Sequence, residues 1–297
     1  MRRFLPVLTV VAALIVIWYA AAVALNAQWT RDQAARAGVE AGFGDILRDA
    51  FVQERPKLPA PHQVAAEFWR STFVEEATGR RGIVRSGSLS NRSLIYHGLV
   101  TLSAAALGFA IGAGFGILLA VGIVHNRAMD ASVMPWAIAS QTVPILAIAP
   151  MIIVVLASVG VTGLVPKAVI SAYLSFFPVV VGRVTGLRSP DPMQLDLMRT
   201  WGASGAQIFL RLRLPASVPY LFASMKVGAA AALVGAIVGE LPVQEGGLGA
   251  RLLAGSYYGQ TVQIWAALMA AALLAAAIVG AIGAAERATL ARMGFGR

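Results

Sequence analysis

The chain has 297 residues, of which 58% are hydrophobic and 13% charged. Its mean hydropathy of +0.73 is far too high for a soluble domain of this size and marks an integral membrane protein. The formal net charge of +10 does not argue for nucleic acid, because the arginines fall in loops at membrane boundaries, where orientation in the bilayer accounts for them. Cysteine is absent, and the three histidines, His62, His97 and His125, lie far apart. Neither a disulfide framework nor a metal site is expected, and no cofactor.

In chain order, Met1-Arg2-Arg3 precedes an apolar run from Phe4 to Leu25. A basic start and small residues near Ala27 would suit a secretory signal. The run is nevertheless long enough to cross a bilayer, which takes about 20 residues, so residues 1–25 are read as an uncleaved first span. Residues 26–92 carry ten basic and eight acidic side chains and read as a polar extracytoplasmic loop. Short helices are expected over Arg31 to Ala37 and Phe43 to Gln53. Pro56, Pro59 and Pro61 then stiffen the chain, and Pro61 suits the first turn of a helix that turns Val64, Phe68 and Phe73 toward the membrane surface or the bundle. The segment either caps the outer mouth or meets a substrate-delivery protein.

Residues 93–285 read as a five-helix core. The second span, about His97 to Val124, has small residues at Ala104, Gly108, Gly112 and Gly116, a four-residue spacing that makes a close-packing face. The third, Val133 to Ala157, contains Pro135, Pro144 and Pro150 and is expected to bend. Gln141 and Thr142 beside the middle proline are candidate pathway residues, or else stitch two helices together. The fourth span, Leu164 to Val184, places Tyr173 near Pro178 as a further pathway candidate, with Lys167 extending toward water at its outer end. The fifth, Pro219 to Val238, holds Lys226 near its start, read as snorkelling. It ends at Glu240, a pathway candidate or a simple surface carboxylate, before a glycine-rich segment that reaches Gly249. The sixth runs from Val262 to Ile282, and residues 286–297 form a tail.

Between the fourth and fifth spans lies a loop, residues 184–218, and the stretch DLMRTWGASGAQIFLRLRLPASVP, from Asp196 to Pro219, cannot sit in lipid. One short helix is expected from Asp196 to Ile208, broken afterwards by Pro215 and Pro219. The loop is net positive and so belongs in the cytoplasm. Six spans then leave both termini cytoplasmic.

Counting from Gly202, this loop resembles the coupling loop of ATP-binding-cassette (ABC) importer permeases. There an EAA triplet lies three residues before a glycine, and I-x-L-P follows nine residues after it. Here the positions are Asp196-Leu197-Met198, Gly202, Leu212 and Leu214-Pro215. The triplet keeps its acidic start and exchanges two small residues for larger ones. From Leu58 to Ala285 the chain is similar to the nitrate, sulfonate, taurine and bicarbonate group of these permeases, in LPAPHQVAAEFW, in the glycine-spaced span, in the loop, and in AIVGELPVQEGGLGARL.

The resemblance implies an all-α, type I importer permease bundle with six transmembrane helices in the bacterial inner membrane. It implies a homodimer bound to two ABC ATPase subunits and served by an extracytoplasmic solute-binding protein. Asp196, Leu197, Trp201, Gly202, Leu212, Leu214 and Pro215 would couple to the ATPase, Gly108, Gly112 and Gly116 would pack helices, and the solute would be a small anion such as nitrate, sulfonate, taurine or bicarbonate. Alternatives are a small heterocyclic vitamin precursor, a secondary transporter, or a membrane scaffold. No G-x-x-x-x-G-K-[ST] motif occurs in the sequence, so the chain is not itself an ATPase and nucleotide must be handled by another subunit.

Overall fold

The computed structural model describes residues 4–40, 42–73, 84–85, 88–89, 93–243 and 245–294. Its helices are α1 (Phe4–Arg36), α2 (Phe43–Ala50), α3 (Pro61–Phe73), α4 (Leu94–His125), α5 (Arg127–Ser140), α6 (Ile145–Ser158), α7 (Leu164–Leu187) and α8 (Pro192–Thr200). They continue as α9 (Gly205–Ile208), a π turn (Phe209–Arg213), α10 (Leu214–Ala216), α11 (Val218–Glu240), α12 (Leu248–Tyr257) and α13 (Thr261–Arg292). A two-residue antiparallel ladder, β1 (Val84–Arg85) with β2 (Ser88–Leu89), is the one non-helical element among the described residues.

Among the described residues, α1, α4, α7, α11 and α13 are long and apolar enough to cross a membrane. The expected third span is not one rod. It is α5 and α6, meeting at 99° across the four residues Gln141 to Pro144, and counts as a sixth span only if the bent pair is taken together. Pro144 lacks an N–H and has the extended ψ of 113° at the N-cap of α6, so the ladder of α5 cannot run through it. Pro135 and Pro150 are accommodated inside their helices.

The chain forms two compact units. The first holds Met1–Gly98 and Ala250–Ala271. Along α1, Leu5, Val7, Leu8, Leu14, Val16 and Ile17 are exposed, as a lipid-facing helix requires. The short helix expected after Arg31 is the continuation of α1 itself. Asn26 is fully buried and fastens the proline-stiffened loop: its Nδ2 donates to Leu58 O at 2.9 Å, and its Oδ1 accepts from Lys57 N at 2.8 Å and Leu58 N at 3.3 Å. Trp18 Nε1 donates to Pro59 O, and its indole packs on Trp265 with centroids 5.1 Å apart.

The second unit holds Leu99–Gly249 and Ala272–Arg297. One apolar cluster joins Ala120 and Ile123 of α4, Ala137 of α5, and Phe176, Val180 and Val184 of α7. Another joins Ala104 and Ala105 of α4 to Leu233 and Ala236 of α11, with Leu274, Ala275 and Ile278 of α13 against it. Lys226 does not simply snorkel: its amine is ion-paired with Glu286 of α13.

Candidate functional site

In the second unit α7 packs extensively on α11, and the segment between them is the loop singled out by its sequence. Small residues let the two backbones approach. A Cβ on Gly182 would lie 2.3 Å from Ser224 Cβ, and one on Gly186 would lie 2.7 Å from Tyr220 Cβ. Ser171 Oγ donates to Ala232 O at 2.8 Å across the same seam. In membranes, where apolar burial gives helices no reason to associate, such small contacts and interhelical hydrogen bonds supply the attraction.

The segment that leaves this pair is two short helices rather than the single expected one. Asp191 caps α8 by accepting from Met193 N at 2.8 Å. The helix ends in a Schellman motif: Gly202 N bonds Arg199 O and Ala203 N bonds Met198 O, with Gly202 at φ +68°, where a residue without Cβ is favoured. Ser204 and Gln207 then form a capping box for α9. Next, Leu214 N–H bonds Phe209 O, five residues back. Pro215 has no N–H to continue an ordinary ladder, and the π turn is the local re-phasing that results.

Met193, Leu197 and Trp201, four apart, share one face of α8. They are 78%, 49% and 75% exposed, a run of large apolar side chains outside any membrane span. Asp196 pairs with Arg199, one turn away. Leu212 lies half-buried in the π turn, and Leu214 and Pro215 open α10.

Gly108, Gly112 and Gly116 of α4 face α7. Their Cβ atoms would fall 2.4 Å from Ser171 Cβ, 2.2 Å from Ser175 Oγ and 2.9 Å from Phe176 O.

The pathway candidates fall into two groups. Gln141 and Thr142 are exposed in the break between α5 and α6, and the Tyr173 hydroxyl of α7 donates to Ser140 O beside them. Glu240 is elsewhere, with no contact to these three among the described interactions, and is fully buried. Its Oε2 accepts from Thr101 Oγ1 at 3.0 Å and Gly249 N at 2.8 Å. Leu248 N in turn donates to Thr101 Oγ1 at 2.9 Å. Gly247, at φ +109°, passes so near that a Cβ would lie 2.1 Å from Glu240 Cδ. Lys167, expected to reach water, is only 3% exposed, with its amine 3.8 Å from Glu245. Arg183, expected with the arginines of the basic loop, is instead buried in α7, and Thr101 and Ser217 are buried polar residues that sequence spacing did not single out. No His, Asp or Glu grouping among the described residues is arranged to hold a metal.

Residues 112–289 match the family described as binding-protein-dependent transport system inner membrane component. The chain belongs to this family. It is 30% identical over 230 residues to the riboflavin transport system permease protein RibX of Chloroflexus aurantiacus, covering 77% of this chain and 78% of that protein. It is 30% identical over 167 residues to the formylaminopyrimidine transport permease protein ThiX of Halalkalibacterium halodurans, covering 56% and 65% of the two chains. It is 22% identical over 193 residues to the nitrate import permease protein NrtB of Synechococcus elongatus, covering 65% of each. The permease is thus the multi-pass inner-membrane subunit of an ABC importer, whose family works with a binding protein and with an ATPase on a separate chain.

Proposed function

We propose that the permease docks its ATPase through α8 and moves a small planar heterocycle across the membrane. The exposed apolar face of Met193, Leu197 and Trp201 carries the docking assignment. Asp196, Gly202, Leu212, Leu214 and Pro215 shape and return the segment that presents this face. An amphipathic helix lying in a groove of the partner is an established recognition mode. A homodimer would enclose the pathway. The segments proposed for it are residues 93–285 as the core, 184–218 as its coupling loop, 1–25 as a first span, 26–92 as an extracytoplasmic loop with short helices and 286–297 as a tail.

For the solute, a heterocycle is favoured over an anion by two observations. Two relatives at 30% identity are named for riboflavin and formylaminopyrimidine transport, whereas the sulfonate permease stands at 26% and the nitrate permease at 22%. The groups at the α5–α6 break, Gln141, Thr142 and Tyr173, are neutral hydrogen-bonding side chains suited to the polar edge and flat face of such a ring. The test is uptake by vesicles containing the permease, its ATPase and its binding protein. Formylaminopyrimidine or riboflavin is expected to be taken up with ATP, and uptake of nitrate or a sulfonate alone would replace this reading with an anion importer.

The same proposal places the α7–α11 connection and both termini in the cytoplasm, because short basic loops are retained there. Reporter fusions after Arg127, Arg199 and Arg292 are expected to report cytoplasm. Fusions near Gly249 and near Gly79, which lies outside the described residues, are expected to report the opposite side. An outside signal at Arg199 would overturn the orientation and the docking surface together.

A further inference from the structure

Arg183, in the last part of α7, is 4% exposed. Its Nη1 donates to Ser217 Oγ at 2.7 Å, its Nε is buried without a partner, and no carboxylate among the described residues pairs with it. A buried guanidinium with one neutral hydrogen bond costs more than an apolar side chain of similar volume. Stability alone therefore does not explain it, and its position offers another reason.

Ser217 is the junction between α10 and α11, two residues after Pro215. Its hydroxyl accepts from Arg183 and donates on to Leu214 O at 2.7 Å. One relay thus ties α7 to the carbonyl of the Leu214-Pro215 step. Gly186 brings the helices together beside it, its Cβ position lying 3.1 Å from Ser217 Cβ. Everything from Arg188 to Ala216 leaves and rejoins the helix pair at this joint. The ordinary α-helical ladder is interrupted immediately before it, in the π turn at Phe209–Arg213 and at Pro215.

We infer that Arg183 is a positioning residue that stiffens this joint. With the relay closed, displacement of α8 by a partner passes to α7 and α11 as movement of one body. With it open, the displacement is absorbed by bending at the π turn. Coupling of this kind needs an element that transmits rather than dissipates. The inference rests on the docking surface proposed above and adds the route by which movement leaves it.

The test uses the full importer, with the permease carrying Arg183→Met, Arg183→Lys, Ser217→Ala, or Arg183→Met with Ser217→Ala. Arg183→Met is expected to insert, to resist heat as well as wild type and to recover its ATPase fully. Solute imported per ATP hydrolysed should nevertheless fall about fivefold, the lower end of usual site-to-site coupling. Ser217→Ala should move the ratio in the same direction. The double variant should be no worse than Arg183→Met, because the two residues act through one contact. Arg183→Lys, which keeps a donor, should recover part of the ratio. An unchanged ratio in Arg183→Met overturns the inference, and so does a loss confined to folding yield. Loss of the ATPase from Arg183→Met also overturns it, since the residue would then shape the docking surface itself. Failure of the docking surface is read separately, as full ATPase recovery by both Trp201→Ala and Leu197→Ala.

Discussion

Replacing Trp201 by alanine is expected to weaken ATPase binding by about 2–4 kcal/mol, roughly thirty- to a thousandfold. Trp201 is 75% exposed, so its indole does little for the fold. Its structural contribution is made by the backbone, whose N–H bonds Arg199 O and Leu197 O at the end of α8 and survives truncation of the side chain. An exposed tryptophan next to a second apolar anchor, Leu197, is what an interface core is built from. Gly202 separates binding from local folding. At φ +68° with nothing within 4 Å of its Cβ position, it has room for a side chain but an unfavourable backbone for one. Gly202→Asn should therefore be nearly neutral, and Gly202→Arg should cost about 1–2 kcal/mol of local strain in addition to any clash with the partner. The measurement is titration of purified permease with ATPase, alongside recovery of the complex. Wild-type affinity for both Trp201→Ala and Leu197→Ala would remove α8 as the docking helix.

The largest effect within the permease itself is expected from Gly112→Leu. The Cβ alone would lie 2.2 Å from Ser175 Oγ and 2.7 Å from Ala172 O, and a backbone carbonyl has no alternative rotamer to adopt. Overpacking of this kind costs about 1–3 kcal/mol and more where the backbone must shift. Here α4 and α7 would have to separate along the face that also carries Gly108 and Gly116. Insertion should persist, because leucine is more apolar than glycine, while the yield of assembled complex falls severalfold. Gly114, two residues on, has nothing within 4 Å of its Cβ position, and Gly114→Leu should be tolerated. Equal yields for the two variants, measured by size-exclusion recovery of the assembled importer, would mean that the glycine face does not hold α4 to α7.

Sequence reasoning reached those elements whose cause is local. Apolar length located the spans, and the glycine spacing in α4 marked a small face, although only the fold identifies α7 as the helix opposite it. Three prolines announced a bend in the third span. They did not announce a 99° turn, which depends on Pro144 starting a new helix rather than kinking an old one. At Gly202 the spacing located the segment, but the Schellman geometry at φ +68° was hidden behind an apparently continuous periodicity. Charge was the least legible property. Hydropathy weighs a lysine by its identity, so Lys167 and Lys226 both read as snorkelling side chains. One is instead 3% exposed near Glu245, and the other is paired with Glu286, 60 positions away. Arg183 and Ser217, 34 positions apart, carry no mutual signal in a single sequence.

The buried clasp around Glu240 also has a consequence in time. Thr101 and Glu240 are separated by 139 positions, and Thr101 and Leu248 by 147. A ribosome adding about 5–20 residues per second makes the first partner roughly 7–28 s before the second. During that interval the Thr101 hydroxyl is without the carboxylate it will donate to. Until then that hydroxyl can bond a carbonyl of its own helix one turn back, as Thr185 and Thr289 do. A chain stalled before Gly249 lacks the backbone N–H that completes the clasp, so the glycine-rich turn is the last-made part of it.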